Sequence, residues 1–277
     1  MKLFEIRDSS QVLPDRTDRI QGYLFYYSRS RRFYAEILSE LDQWTAPAMF
    51  MKHMKQGRYS IDHEWTMKWV QQRIIPAERQ NIGAILRENH LKEYDPYRLL
   101  CLSEGRCAQD ESYIRKIDPV GLPEEIRDRL MKKVQDVMPL TGHRICVFFR
   151  DDTAKIIKLD PLIGVNRLFA NILAHDDILR QVRVSPGGNG IEWDDTRYLP
   201  AEDLYGAGIP SAIRYEELLE FARTRLEDTS ALSQRMNVSR QYINQLVKQN
   251  RLNPVVTGAT TQIFARAEIE SEMPLFH

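Results

Sequence analysis

The sequence predicts an α+β fold in three segments: a helical N-terminal domain, a small antiparallel-sheet central domain, and a C-terminal pair of short helices followed by a hairpin. Three observations carry this. In the first segment the apolar residues from Phe33 to Leu41 recur at spacings of three and four, the helical period, and further helical runs follow. In the middle of the chain, HRICVFFRDDTAKIIKLDPLIG holds two apolar runs split by Asp151-Asp152, the pattern of a hairpin. Near the end, SQRMNVSRQYINQLVKQNRL, Ser233 to Leu252, reads as two short helices with a tight turn between them.

The first segment, 1–117, opens on a strand-like KLFEI and a polar turn region to Arg19. Tyr23, Leu24, Tyr26 and Tyr27 follow, and Phe33, Tyr34, Ile37, Leu38 and Leu41 have the spacing of an amphipathic helix. Pro47 closes it. A second helical run covers Ile61 to Gln72, with Trp65, Met67, Trp69 and Val70. Pro76 fits the first turn of a third helix carrying Ile82, Ile85 and Leu86. Asp95-Pro96 starts another that runs through Leu102.

The second segment, 118–208, begins with a charged helix from Leu122-Pro123-Glu124-Glu125 to about Val137. The hairpin follows, Ile145 to Phe149 and Ala154 to Leu159. Leu168 to Ile172 predicts a short helix, Gln181 to Ser185 a third strand, Gly187 to Gly190 a turn, and Ile191 to Trp193 the start of a fourth strand. Alternation of the strands implies one sheet, with flanking helices to cover it. The stretch VFFRDDTAKIIKLDPLIGVNRLFANILAHDDILRQVRVSPGGNGIEWDDTRYLPAEDLY resembles a small bacterial domain family of unknown function, DUF2442. The hairpin ending in KLDPLI, the LF..IL helix and GIEWDDTRYLPAEDLY carry the resemblance, over about a quarter of the chain. It implies a compact α+β module, sometimes followed by a helix-turn-helix and sometimes similar to partners of small toxin-like proteins. It implies no catalytic residue.

The third segment, 209–277, starts with a linking helix from Tyr215 to Leu226, with Leu218, Leu219, Ala222 and Leu226 on one face. Thr229 or Ser230 is placed to cap the next helix, which ends at about Met236. Leu232 and Met236 point inward, Asn237 takes the turn position that tolerates positive φ, and Val238 plugs the turn. Ser239 caps the second helix, in which Ile243 and either Leu246 or Val247 face the core. Arg240, Gln241, Asn244, Gln245 and Lys248 are left outside. Asn and Gln can bond adenine in bidentate fashion, and Arg and Lys can bond guanine or phosphate. Val255-Val256, a turn at Thr257-Gly258-Ala259, and Gln262-Ile263-Phe264 read as a β-hairpin. LSQRMNVSRQYINQLVKQNRL and QIFARAEI together resemble the winged helix-turn-helix of MerR-like and excisionase-like proteins. The resemblance implies that the second helix enters the major groove while the wing touches backbone. It places Ser239, Arg240, Gln241, Tyr242 and Asn244 at the recognition end, and Arg251 and Gln262 near the wing.

Charge is informative only locally, since 39 Lys plus Arg balance 39 Asp plus Glu. From Thr229 to Arg266 there are five basic residues, Arg235, Arg240, Lys248, Arg251 and Arg266, and no acidic one, a modest footprint for a polyanion. Other candidates have simpler readings. YLFYYSRSRRFY, Tyr23 to Tyr34, has the composition of a base-stacking surface but also of a core aromatic cluster with a basic edge. His53, His63 and His90 lack metal-ligand spacing, and Asp151, Asp152, Asp194 and Asp195 suit turns. Cys107 beside Arg106 has no visible base partner, and Gly187 to Gly190 lacks the lysine of a phosphate loop. No catalytic residue, metal or cofactor is expected. No apolar run reaches the length of a membrane span, the start of the chain is charged too early for a secretory signal, and three unpatterned cysteines suggest no disulfide framework, so a cytoplasmic location is expected.

The expectation is a DNA-binding regulator, not an enzyme, that reads double-stranded DNA as a homodimer through Ser239, Arg240, Gln241, Tyr242, Asn244, Gln245, Lys248, Arg251 and Gln262. One alternative is a protein-binding inhibitor or antitoxin that grips a partner through residues 1–208 and uses the helix-turn-helix to regulate its own operon. The other is that the two helices are a hairpin for protein contact only.

Overall fold

A computed structural model describes residues 1–9, 18–164, 166–210, 212, 215–258 and 261–270. The fold is mixed α and β, with several small antiparallel sheets. The chain divides into two compact units, Met1–Arg127 and Asp128–His277.

In the first unit the strands are β1 (Lys2–Asp8), β2 (Arg19–Tyr27), β3 (Arg32–Ile37), β4 (Ser60–Ile61) and β5 (Ser112–Lys116). They form one antiparallel sheet in the order β4-β3-β2-β1-β5. The helices are α1 (Met51–Met54), α2 (His63–Gln71), α3 (Ile82–Glu88) and α4 (Pro96–Leu102). This corrects the expectation of a helical N-terminal domain. Phe33, Tyr34 and Ile37 lie on β3, paired with Tyr26, Phe25 and Gly22 of β2. Nearly every residue of β2 and β3 is buried. A strand buried on both faces loses the alternation that marks it, and a chance spacing of three and four then mimics a helix. Three helices expected here do form: Asp62 Oδ1 caps α2 by accepting from the Trp65 N–H at 2.9 Å, Asp95 Oδ1 caps α4, with Pro96 in its first turn, and α3 carries Ile82, Ile85 and Leu86 but starts at Ile82, so Pro76 precedes it and is not in its first turn. Phe4, Ile6, Leu24, Phe33, Phe50 and Trp69 meet in the core of this unit.

The second unit begins within α5 (Glu124–Met131) and holds β6 (Val134–Leu140), β7 (Arg144–Phe149), β8 (Ala154–Lys158), β9 (Arg183–Val184), β10 (Gly190–Glu192), β11 (Tyr198–Pro200) and β12 (Ile209–Pro210). Between them lie α6 (Asp160–Ile163), α7 (Ala170–Ala174), α8 (Asp176–Leu179) and α9 (Ala201–Ala207). The strands make two sheets, β12-β8-β7-β6 and β11-β10-β9, where the sequence suggested one. The hairpin forms as expected, with Ile145 opposite Ile157 and Cys146 opposite Ile156. The charged helix stops at Met131, and Val134 to Leu140 turn into β6 instead of completing it. One face of the larger sheet buries Val137, Ile145, Val147 and Ile157 with Phe169, Ile172 and Trp193, each worth about 1.5–3 kcal/mol on leaving water. The other face carries Met138, Cys146 and Phe148 and is met by Phe221. The glycine turn packs against β6: Gly188 has φ +65°, and a Cβ there would lie 2.2 Å from the Val134 carbonyl oxygen.

Phe221 belongs to α10 (Tyr215–Arg225), after which come β13 (Leu226–Asp228), α11 (Thr229–Met236), α12 (Arg240–Lys248), β14 (Val256–Thr257), β15 (Gln262–Ala265) and α13 (Ala267–Glu270). The face of α10 picked from sequence is the wrong one: Leu218 is 54% exposed and Ala222 is exposed, while Phe221 and Arg225 turn inward. Amphipathic spacing misses Arg225, because a buried cation has no apolar signature. Its Nε donates to Asp136 Oδ1 on β6 at 2.6 Å and one Nη donates to Glu270 Oε2 on α13 at 2.5 Å.

Candidate nucleic-acid interface

α11 and α12 are joined by Asn237, Val238 and Ser239. Asn237 takes φ 52° and ψ 46°, the left-handed turn that asparagine tolerates better than most residues. Val238 is half-buried beneath the turn, and its carbonyl accepts from Ser233 Oγ at 2.6 Å. Ser239 Oγ accepts from the Tyr242 N–H at 3.2 Å and so caps α12. The cap of α11 is Asp228, which accepts from the Ala231 N–H at 2.8 Å, and not Thr229 or Ser230. Leu232, Ile243, Leu246, Leu252 and Phe264 close the small core, and of the two candidates Leu246 is buried and Val247 half-buried.

The hairpin after α12 forms: Val256 pairs with Ile263 and Thr257 with Gln262. Ala259, in its expected turn, lies outside the described residues. β15 pairs on its other side with β13, where Glu227 faces Phe264, giving a three-stranded sheet that sequence reading missed. Glu227 fixes that sheet to the helices. Both its oxygens accept from Arg235 Nε at 2.9 Å, and Oε1 also accepts from Arg266 Nε at 2.5 Å. Burial pushes the Glu227 carboxyl up, but hydrogen bonds from Arg235 and Arg266 outweigh it and leave it below its ordinary value.

Ser239, Arg240, Gln241, Asn244, Gln245, Lys248 and Arg251 are exposed, Tyr242 is 41% exposed, and Gln262 is half-buried. Arg240, Asn244 and Gln262 converge on a cleft of ≈ 410 Å³ between α12 and the hairpin. Arg240 and Asn244 are four apart, hence on one face of the helix. Gln241 and Gln245 belong to the neighbouring face, while Lys248 continues the Arg240–Asn244 row one turn further on, outside the lining of the cleft. Arg251 follows the end of α12. The cleft also takes in Asp228, Thr229, Ser230, Gly258 and Thr261, none of which was singled out for binding. Thr229 and Ser230 were visible only as cap candidates and Gly258 only as a turn residue, while Asp228 and Thr261 carried no signal in the sequence. Gln262 Oε1 is buried in the wall of the cleft with no hydrogen-bond partner among the described residues.

The five basic residues do not act as five. Arg235 and Arg266 are paired with Glu227, which stands just before the stretch that was counted. Arg240, Lys248 and Arg251 make no ion pair among the described residues. The available footprint is therefore three cations.

No family model, no curated protein and no solved structure matches this chain.

The other candidates resolve into structure. Tyr26 is buried and stacks on Tyr97 at 4.3 Å, and Tyr23, Tyr27 and Tyr34 are also buried, so those rings offer no stacking surface. His63 Nδ1 accepts from the Phe33 N–H at 3.2 Å. Asp151 and Asp194 each accept from a backbone N–H two residues on, those of Thr153 and Thr196, in the local turn geometry of aspartate. No group of His, Cys, Asp or Glu placed to hold a metal ion occurs among the described residues. No helix among them is long and apolar enough to cross a membrane.

Proposed function

We propose that this chain is a sequence-specific DNA-binding regulator whose residues 226–270 act as a winged helix-turn-helix. α12 enters the major groove and the β14–β15 hairpin serves as the wing. The observation that carries this is the cleft in which Arg240 and Asn244 of α12 meet Gln262 of the hairpin. Arginine and asparagine or glutamine are the side chains that bond guanine and adenine edges in pairs. Residues at the start of a recognition helix reach those edges first. Three available cations give one copy a weak hold at physiological salt. We therefore place two copies on two half-sites, about one helical turn apart.

The test is fluorescence anisotropy of the full chain with DNA from the gene's own upstream region, against scrambled DNA, at two salt concentrations. Preferential binding to the upstream DNA that persists at the higher salt is the expected result. Equal, weak binding to both that salt abolishes would overturn the reading of an operator there.

A further inference from the structure

The second unit has another concavity, away from α12. It is a groove of ≈ 400 Å³ between β6 and β7 on one side, α10 on another, and the Ala265–Glu268 turn on the third. That size lies within the range of small-molecule sites. Its walls are Met138, Phe148, Leu218 and Phe221, and the rings of Phe148 and Phe221 meet edge to face at 5.6 Å. Leu218 stands 54% exposed beside them, so α10 leaves part of the wall open. The rim is acidic. Asp152 is exposed, and its carboxylate makes no hydrogen bond or ion pair among the described residues. Glu268, half-buried, holds Asn253 N–H at 3.3 Å. Asp136 also lines the groove, but Arg225 compensates it. Among the described residues no lysine or arginine lines the groove.

We propose that this groove binds a small aromatic cation. The charge decides the class. A neutral apolar occupant would cover the Asp152 carboxylate without pairing it, which costs free energy. An anion would meet like charge at the rim. A cationic head at the rim pairs with Asp152 and Glu268, while its apolar body takes up the face left open on Leu218, Phe148 and Phe221. The site stands whether or not α12 binds DNA.

The test is calorimetry on the full chain with three probes: benzyltriethylammonium, tetraethylammonium and benzenesulfonate. Saturable 1:1 binding of the aromatic cation is expected, with weaker binding of tetraethylammonium and none of benzenesulfonate. Asp152→Asn with Glu268→Gln should weaken the aromatic cation by about tenfold or more. Asparagine tolerates the positive φ of residue 152, and an unchanged urea midpoint shows that the double variant is folded. No binding at millimolar benzyltriethylammonium overturns the proposal. So does equal binding of benzenesulfonate, or an affinity for the cation that the folded double variant leaves unchanged.

Discussion

Arg225 Nε lies 2.6 Å from Asp136 Oδ1, and both side chains are almost wholly withdrawn from solvent. The same guanidinium grips Glu270, whose Oε2 also accepts from the Val184 N–H at 3.1 Å. One buried cation therefore joins β6, β9, α13 and the end of α10. Arg225→Met removes the cation and leaves two buried carboxylates unpaired. Breaking a buried pair in this way costs about 3–5 kcal/mol. Asp136→Asn keeps the Arg225–Glu270 contact and should cost clearly less. Urea unfolding of the two variants should show that order, and equal losses would mean that the three groups do not act as a unit.

The same cluster sets a pH dependence. Burial pushes the Asp136 carboxyl up to about 6, and Arg225 only partly opposes this. The unfolded chain releases that proton near the ordinary carboxylate value, about 4. Between these values the folded state holds a proton that the unfolded state has lost. The contribution of Asp136 is thus fully present below about pH 4 and is lost as pH rises through about 6. Stability curves of the wild type and Asp136→Asn should diverge in that window and run parallel above it.

Glu227 ties stability to charge. Its carboxyl is held below its ordinary value, so its contribution is present above the unfolded carboxylate value and is lost as pH falls through the folded one. Glu227→Gln should lower stability by about 2–4 kcal/mol, because Arg235 and Arg266 lose their partner. It also releases those two cations. Nonspecific DNA binding should then strengthen, and the slope of log K against log salt should steepen from about −3 to about −4.5 per chain. A variant that loses stability with no change of slope would show that Arg235 and Arg266 do not reach phosphate.

What could be read from sequence was local. The tight turn at Asn237, the Ser239 cap and the inward Leu232 and Ile243 depend on neighbours within a few positions, and each is where the pattern placed it. Asn237→Gly should accordingly change stability by only a few tenths of a kcal/mol, and Asn237→Val should cost about 1–2 kcal/mol, read by thermal unfolding. The misses are nonlocal. β2 and β3 are buried along most of their length, so period two is erased from them. β13 exists only because β15 pairs with it 39 residues later, at Leu226 opposite Ala265. The pairing of Arg235 and Arg266 with Glu227 lies across that same sheet, so a count along the chain overstated the footprint.

The cleft separates two kinds of loss on DNA. Arg240 and Asn244 face Gln262 across it, whereas Lys248 stands one turn further along α12, outside the cleft. Arg240→Ala and Asn244→Ala should each cost about 1–3 kcal/mol on the upstream site and relax the preference at one base position, while scrambled DNA loses much less. Lys248→Ala should weaken both DNAs alike and lower the salt slope by about 1. All three side chains are exposed, so thermal unfolding should stay near wild type. If Arg240→Ala weakens upstream and scrambled DNA equally, the cleft holds phosphate and the bases are read by the face of Gln241 and Gln245.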